Sequence, residues 1–234
     1  SMTLAGDRVE DMLPWRRQQT IEDYLEERWQ DRKPKAMSFV DQSRSVHLLS
    51  GSPSITLFER RMLVWRDTVF AARNVVKFWM YDVLDEARTN YDLVICDCPP
   101  GLSLLAEAAI ASADVIVVPQ VPDRLSTQGL QLYSKYLKED LELSNVAERT
   151  AVFINMMDSR TGVAKDYAEA IRREAGNAKF PYRVFATEYG DSVAYKRAMD
   201  RSRHLPFREI YAEVGDTVTA ATRELWTMLG WIKD

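Results

Sequence analysis

From residue 93 to its end the chain alternates two hydrophobic periods, and this alternation restricts the fold more than any other feature. Leu93-Val94-Ile95-Cys96 and Val115-Ile116-Val117-Val118 are uninterrupted apolar runs, the pattern of strands buried on both faces of a parallel sheet. Ala151-Val152-Phe153-Ile154 is a third such run, and Tyr182-Arg183-Val184-Phe185, interrupted by one arginine, reads as a fourth strand. Cys98-Pro99-Pro100-Gly101 should end the first strand and Pro119 the second. Helical stretches separate the runs: an alanine-rich one over 104–113, then 126–138 and 163–175, with two more near 191–201 and 208–229. Strand and helix in strict turn is the pattern of βαβ crossovers. The expected fold is α/β, a doubly wound and mainly parallel sheet with flanking helices.

The part before residue 93 reads differently. Residues 1–45 are polar and charged, an irregular segment with one short amphipathic helix over 20–29. There Ile21, Tyr24, Leu25 and Trp29 recur at helical spacing behind Thr20 as N-cap. Val46-His47-Leu48-Leu49 is a short strand candidate closed by Ser50-Gly51-Ser52-Pro53-Ser54, and one long helix is expected over 55–88. With no low-complexity linker and no internal repeat, the 234 residues read as a single domain. No run approaches the ~18 apolar residues of a membrane span. Ser1 to Asp7 shows no basic-then-apolar signal pattern. Cys96 and Cys98, two residues apart, cannot staple distant segments and are expected to be buried free thiols in a reducing cytosol.

In open α/β sheets ligands bind off the carboxyl ends of the strands. The residues to weigh are therefore those that close the four runs, among them Asp97, Gln120, Asn155, Asp158, Thr187 and Glu188. An aspartate directly after a buried strand is a costly place for a charge unless something pairs with it. Asp97 is either an acid that helps hold Mg²⁺ at nucleotide phosphates or a strand-end carboxylate satisfied by loop amides.

The run Tyr91-Asp92-Leu93-Val94-Ile95-Cys96-Asp97-Cys98-Pro99-Pro100-Gly101-Leu102 resembles the Walker-B segment of ParA-type partition ATPases, of the ParA/MinD superfamily. Ala113-Asp114-Val115-Ile116-Val117-Val118-Pro119, Gly129-Leu130 and Asp158-Ser159-Arg160-Thr161 are similar to that family in turn, the last to its ParA branch. The resemblance implies an ATP-dependent switch in plasmid or chromosome partitioning, with ATP and Mg²⁺ as cofactors. The chain would pair with a second copy as a dimer and with a ParB-like partner protein. It implies Asp97 as the magnesium acid, acting through water, and Asn155 as reader of the adenine edge, the alternative for Asn155 being a turn residue. Thr187 and Glu188 stand where the family has a proline-containing base contact, although the proline is missing here. A cytoplasmic, nucleoid-associated location follows from the same resemblance.

The departure is at the front. The family opens with a deviant Walker A loop, K-G-G-x-x-K-T, and no Gly-x-x-x-x-Gly-Lys-Ser/Thr run occurs here. Ser50-Gly51-Ser52-Pro53 lacks the lysine and loses an amide donor at its proline. On the resemblance roughly one βαβ unit, ~30 residues, is absent. Three readings are open: a shortened chain, a start assigned at an internal methionine, or a natural paralogue that has lost catalysis and serves as an interaction or dimerisation module.

The formal net charge of −4 argues against a polyanion-binding surface overall but leaves room for a local basic face. Lys196, Arg197, Arg201 and Arg203, with His204 and Arg208, are the densest basic stretch. They are either contacts for DNA phosphates or a solvated helix face.

Overall fold

The computed structural model describes residues 20–30, 40–43, 46–51, 54–65, 68–99, 101–139, 143, 145–177, 182–200 and 206–232. Contacts divide the chain into two units, Ser1–Ser112 and Ala113–Asp234, and each is described by itself.

The first unit is helical with a small hairpin. Helix α1 (Ile21–Trp29) begins where the sequence predicts, behind a capping box: the Asp23 amide donates to Thr20 Oγ1 (3.3 Å) and the Thr20 amide to Asp23 Oδ2 (2.8 Å). Strands β1 (Val40–Ser43) and β2 (Val46–Leu48) pair antiparallel, so a strand stands inside the segment expected to be irregular. The long helix expected over 55–88 is two helices, α2 (Ile55–Trp65) and α3 (Val69–Asn90). Thr68 restarts the second by accepting the Ala71 amide at 3.1 Å. Helix α4 (Leu104–Ser112) closes the unit; its first amides go to Glu59 (from Leu105, 3.0 Å) and to Ser103 (from Ala106, 3.2 Å). The core is drawn from all four helices: Tyr24 and Leu25, Phe58 and Met62, Val76 and Met80, Leu104 and Ala108.

The expected strand Leu93–Cys96 does not form. Residues 93–99 run without ladder hydrogen bonds, and Leu93, Val94 and Ile95 are exposed, Ile95 at 78%. An apolar run becomes a strand only where neighbouring backbone completes the ladder. The two described strands of this unit, β1 and β2, pair with each other. Cys96 and Cys98 are free thiols, as expected, but exposed rather than buried.

The second unit is the α/β part. Strands β3 (Ile116–Gln120), β4 (Thr150–Met157) and β5 (Arg183–Gly190) form a parallel sheet in the order β3-β4-β5. Helix α5 (Arg124–Glu139) and the short α6 (Val146–Arg149) join β3 to β4, and α7 (Gly162–Glu174) joins β4 to β5. β3 continues through Pro119, which the sequence reading took as its end. Among the described residues β3 pairs only with β4, and a residue without an amide is tolerated on such an edge. Side chains alternate across the sheet. Ala151 and Phe153 pack with Phe185 against Ala221, Leu225 and Met228, whereas Ile154 and Met157 pack against Ala164 and Ala168 of α7. Helices therefore cover both faces, as a doubly wound arrangement requires. After β5 come α8 (Val193–Asp200), α9 (Phe207–Ile210) and α10 (Gly215–Met228), so the helix expected over 208–229 is interrupted by turns at 211–214. No described helix is long and apolar enough to cross a membrane.

Candidate functional site

The parallel sheet of the second unit brings three of the predicted residues together. Asn155 lies in β4, and Thr187 and Glu188 lie in β5, inside the strands rather than just after them as the sequence suggested. Ile154 pairs in register with Glu188, which sets Asn155 one residue beyond that pair on the neighbouring strand. All three are partly exposed, while Ile154 and Val152 of β4 are fully buried.

Two irregularities shape this edge. Met157 pairs with Gly190, so Asn155 and Met156 together face Tyr189 alone, a bulge of one extra residue. Met156 takes the strain, with φ at 56° in the left-handed region that unbranched non-glycine residues seldom occupy, and its side chain is exposed. The second irregularity is larger. Val152 pairs with Val184 and Ile154 with Glu188, leaving Phe153 opposite three residues, Phe185, Ala186 and Thr187. In a regular strand successive amides point to opposite edges. Here the consecutive amides of Ala186 and Thr187 both donate to one carboxylate, that of Glu224 on α10, at 2.7 Å (Oε2) and 2.8 Å (Oε1). The next residue is tied from α7: Arg172 donates to Glu188 Oε2 at 2.6 Å.

The D-S-R-T run forms a closed turn at the end of β4. The Arg160 amide (3.0 Å) and Nε (2.9 Å) both donate to Asp158 Oδ1, and the Thr161 amide and hydroxyl donate to the Asp158 carbonyl. The guanidinium of Arg160 holds the Asp158 carboxyl below the usual carboxylate range. At the end of β3, Gln120 is buried and donates its amide nitrogen to the Val121 carbonyl.

Asp97 belongs to the first unit. It is exposed, on the segment that carries no ladder, and no hydrogen bond or ion pair to it is formed among the described residues. No cluster of three or more His, Cys, Asp or Glu side chains that could enclose a metal occurs among the described residues. A single hard carboxylate oxygen is nevertheless what Mg²⁺ asks of a protein when phosphates and waters fill the remaining positions, so the donor set fits that ion.

Of the basic stretch, Lys196 and Arg197 are exposed on α8, Arg197 lying 3.5 Å from Glu213, and Arg208 is exposed on α9. Arg201, Arg203 and His204 lie outside the described residues. The sequence reading missed Glu224 and Arg172. Each meets its partner across 16 or more positions of chain, Arg172 with Glu188 (16) and Glu224 with Thr187 (37), and neither separation leaves a local signal.

A protein-family model described as an AAA domain matches residues 26–147. Among curated proteins, the sporulation initiation inhibitor protein Soj of Bacillus subtilis is 30% identical over 97 residues, covering 38% of this chain and 36% of that protein. The chromosome partitioning protein ParA of Myxococcus xanthus is 30% identical over 103 residues, 41% of this chain and 34% of its own length. The cell division protein PomZ of the same organism is 28% identical over 97 residues, with 41% and 30% covered. The matched parts thus span about a third of these relatives.

Proposed function

The chain belongs to the AAA-domain family as one of its ParA-like members, and from that premise we propose that it acts as an ATP-dependent switch in plasmid or chromosome partitioning. The observation that carries this reading is the strand-end cluster: Asn155 and Glu188 sit on adjacent parallel strands, one register step apart, at a carboxyl edge where α/β sheets receive nucleotides. The Asn155 side chain offers the donor and the acceptor that an adenine edge needs. Thr187 and Glu188 border it. Asp97 would hold Mg²⁺ through a bound water, and the ion would neutralise phosphate charge when bound. Lys196 and Arg197, with Arg201 and Arg203, contact DNA phosphates without reading sequence. The protein works in the cytoplasm as a dimer on the nucleoid, and a ParB-like protein is its partner.

A second reading, a catalytically silent interaction and dimerisation module, draws on two observations. The 234 residues contain no lysine-bearing phosphate loop, and the Glu188 carboxylate is already engaged by Arg172. Both observations lead to the same expectation: without the loop, ATP–Mg²⁺ binds the 234-residue chain more weakly than micromolar, and the chain does not hydrolyse it. Backbone amide spectra recorded during titration with ATP–Mg²⁺ to ~10 mM distinguish the readings. Shifts at Asn155, Thr187 and Glu188 support the switch. A titration that leaves all three unmoved favours the silent module, and tight micromolar binding would overturn the expectation of weak binding drawn from the lack of a phosphate loop in these 234 residues.

A further inference from the structure

The Glu224 carboxylate does something at β5 that no packing argument requires. A helix lying on a sheet needs apolar contacts, and α10 has them in Ala221, Leu225 and Met228. Between these residues it presents a carboxylate whose two oxygens take the two consecutive amides freed by the bulge, those of Ala186 at 2.7 Å and Thr187 at 2.8 Å. One neutral acceptor could not serve both so well, since hydrogen bonds to an ionised acceptor are the shorter and stronger ones. The arrangement fixes three residues opposite Phe153 where a regular ladder would place one. By doing so it decides which residue of β5 pairs with Ile154, and that residue is Glu188.

We propose that Glu224 is a positioning residue for base recognition: by clipping the Ala186 and Thr187 amides it sets the register that brings Thr187 and Glu188 beside Asn155. This rests on the reading of that edge as the base-contacting part of a nucleotide switch. Arg172 completes the device from the opposite helix layer, tying Glu188 from α7 while Glu224 ties the two residues before it from α10. The clip discriminates between bases without touching one, because a slip of β5 by one residue would exchange which side chains face each side of the sheet.

The test uses the full chain, its Glu224→Ala and Glu224→Gln variants, and two nucleotides that share a triphosphate and differ in base, ATP and GTP with Mg²⁺. Glutamine keeps the shape but turns an NH₂ group toward one of the two amides, so it should restore only one bond and give an intermediate result if alanine compromises folding. In Glu224→Ala, amide hydrogen exchange at Ala186 and Thr187 should rise by at least about tenfold while β4 keeps its protection. The preference for ATP over GTP, read from the amide shifts of Asn155, Thr187 and Glu188, should fall toward unity. If the wild-type chain itself shows no base-dependent shift at these residues, the base-site reading fails and the clip's role fails with it. If the wild type discriminates and the variants discriminate equally, despite free exchange at Ala186 and Thr187, the edge binds the base but Glu224 is only a fastening for α10, and the proposal is overturned alone.

Discussion

Asp97 combines a demanding motif with an undemanding environment. It follows an apolar run in a segment that resembles a magnesium-binding block, yet it is exposed and no hydrogen bond holds it among the described residues. A carboxylate with no partner to lose contributes little to stability when removed, whereas a structural strand-end aspartate would take loop hydrogen bonds with it. Asp97→Ala should therefore melt within about 0.5 kcal/mol of the wild type. It should lose the difference between ATP titrations recorded with and without Mg²⁺. Melting temperature and the two titrations on one preparation check this. A variant that melts several degrees early and keeps its Mg²⁺ dependence would make Asp97 a structural residue and remove it from the site. Asp158 is the opposite case, a carboxylate whose partners are local, so the D-S-R-T run serves first as a closed turn leading into α7.

Between elements, the tie that matters most in the first unit is the ion pair joining α3 to α4. Arg73 Nε lies 2.6 Å from Glu107 Oε2, with the glutamate side chain only 7% exposed. A charge in such a place is tolerated because it is paired, and removing one partner typically costs about 3 kcal/mol or more while removing both costs less. Arg73→Met alone should lower the midpoint of chemical unfolding more than Arg73→Met combined with Glu107→Gln; a loss in the double variant equal to the sum of the two single losses would show that the pair has no coupling. The same element scale explains what the sequence could and could not reveal. Helix α1 was legible because its cap is local, Thr20 and Asp23 being three positions apart. The parallel pairing of β3, β4 and β5 was legible from the alternation of periods. The ends of β4 and β5 were not, because bulges carry both strands past the points where their apolar runs stop, and Asn155, Thr187 and Glu188 became strand residues. Leu93–Cys96 was misread for a different reason: an apolar run records a tendency to be buried, and the backbone partners that would bury it are not encoded in the run itself. Glu224 had no readable signal, since a carboxylate on an amphipathic helix looks like solvent-facing charge until the bulge it serves is seen.

At the scale of the whole molecule the question is what becomes of the apolar surface each unit leaves uncovered. In the first unit Val64 (79%), Phe70 (70%) and Phe78 (61%) are exposed together with Ile95 (78%). Phe70 and Phe78, eight residues apart on α3, lie on one helix face with the exposed Asn74 between them. In the second unit Val117 is exposed on β3, the strand that pairs on one side only among the described residues. Single exposed apolar residues are ordinary, but two large ones on one helix face and an open strand edge are features that soluble proteins cover or pair. The chain should therefore self-associate, and sedimentation equilibrium at high micromolar concentration should report a dimer or larger species. Because apolar burial rather than ion pairing would drive it, raising the salt should not dissolve the association. Substitutions then locate the surface: Phe70→Ser with Phe78→Ser weakens it if the α3 face is involved, and Ile95→Ser weakens it if the open segment after α3 is. Each position is exposed, so neither change removes core packing, and loss of association with an unchanged melting temperature is the expected result. A clean monomer across the concentration range would overturn the prediction, and would mean that these apolar residues remain in contact with water in the protein as it stands.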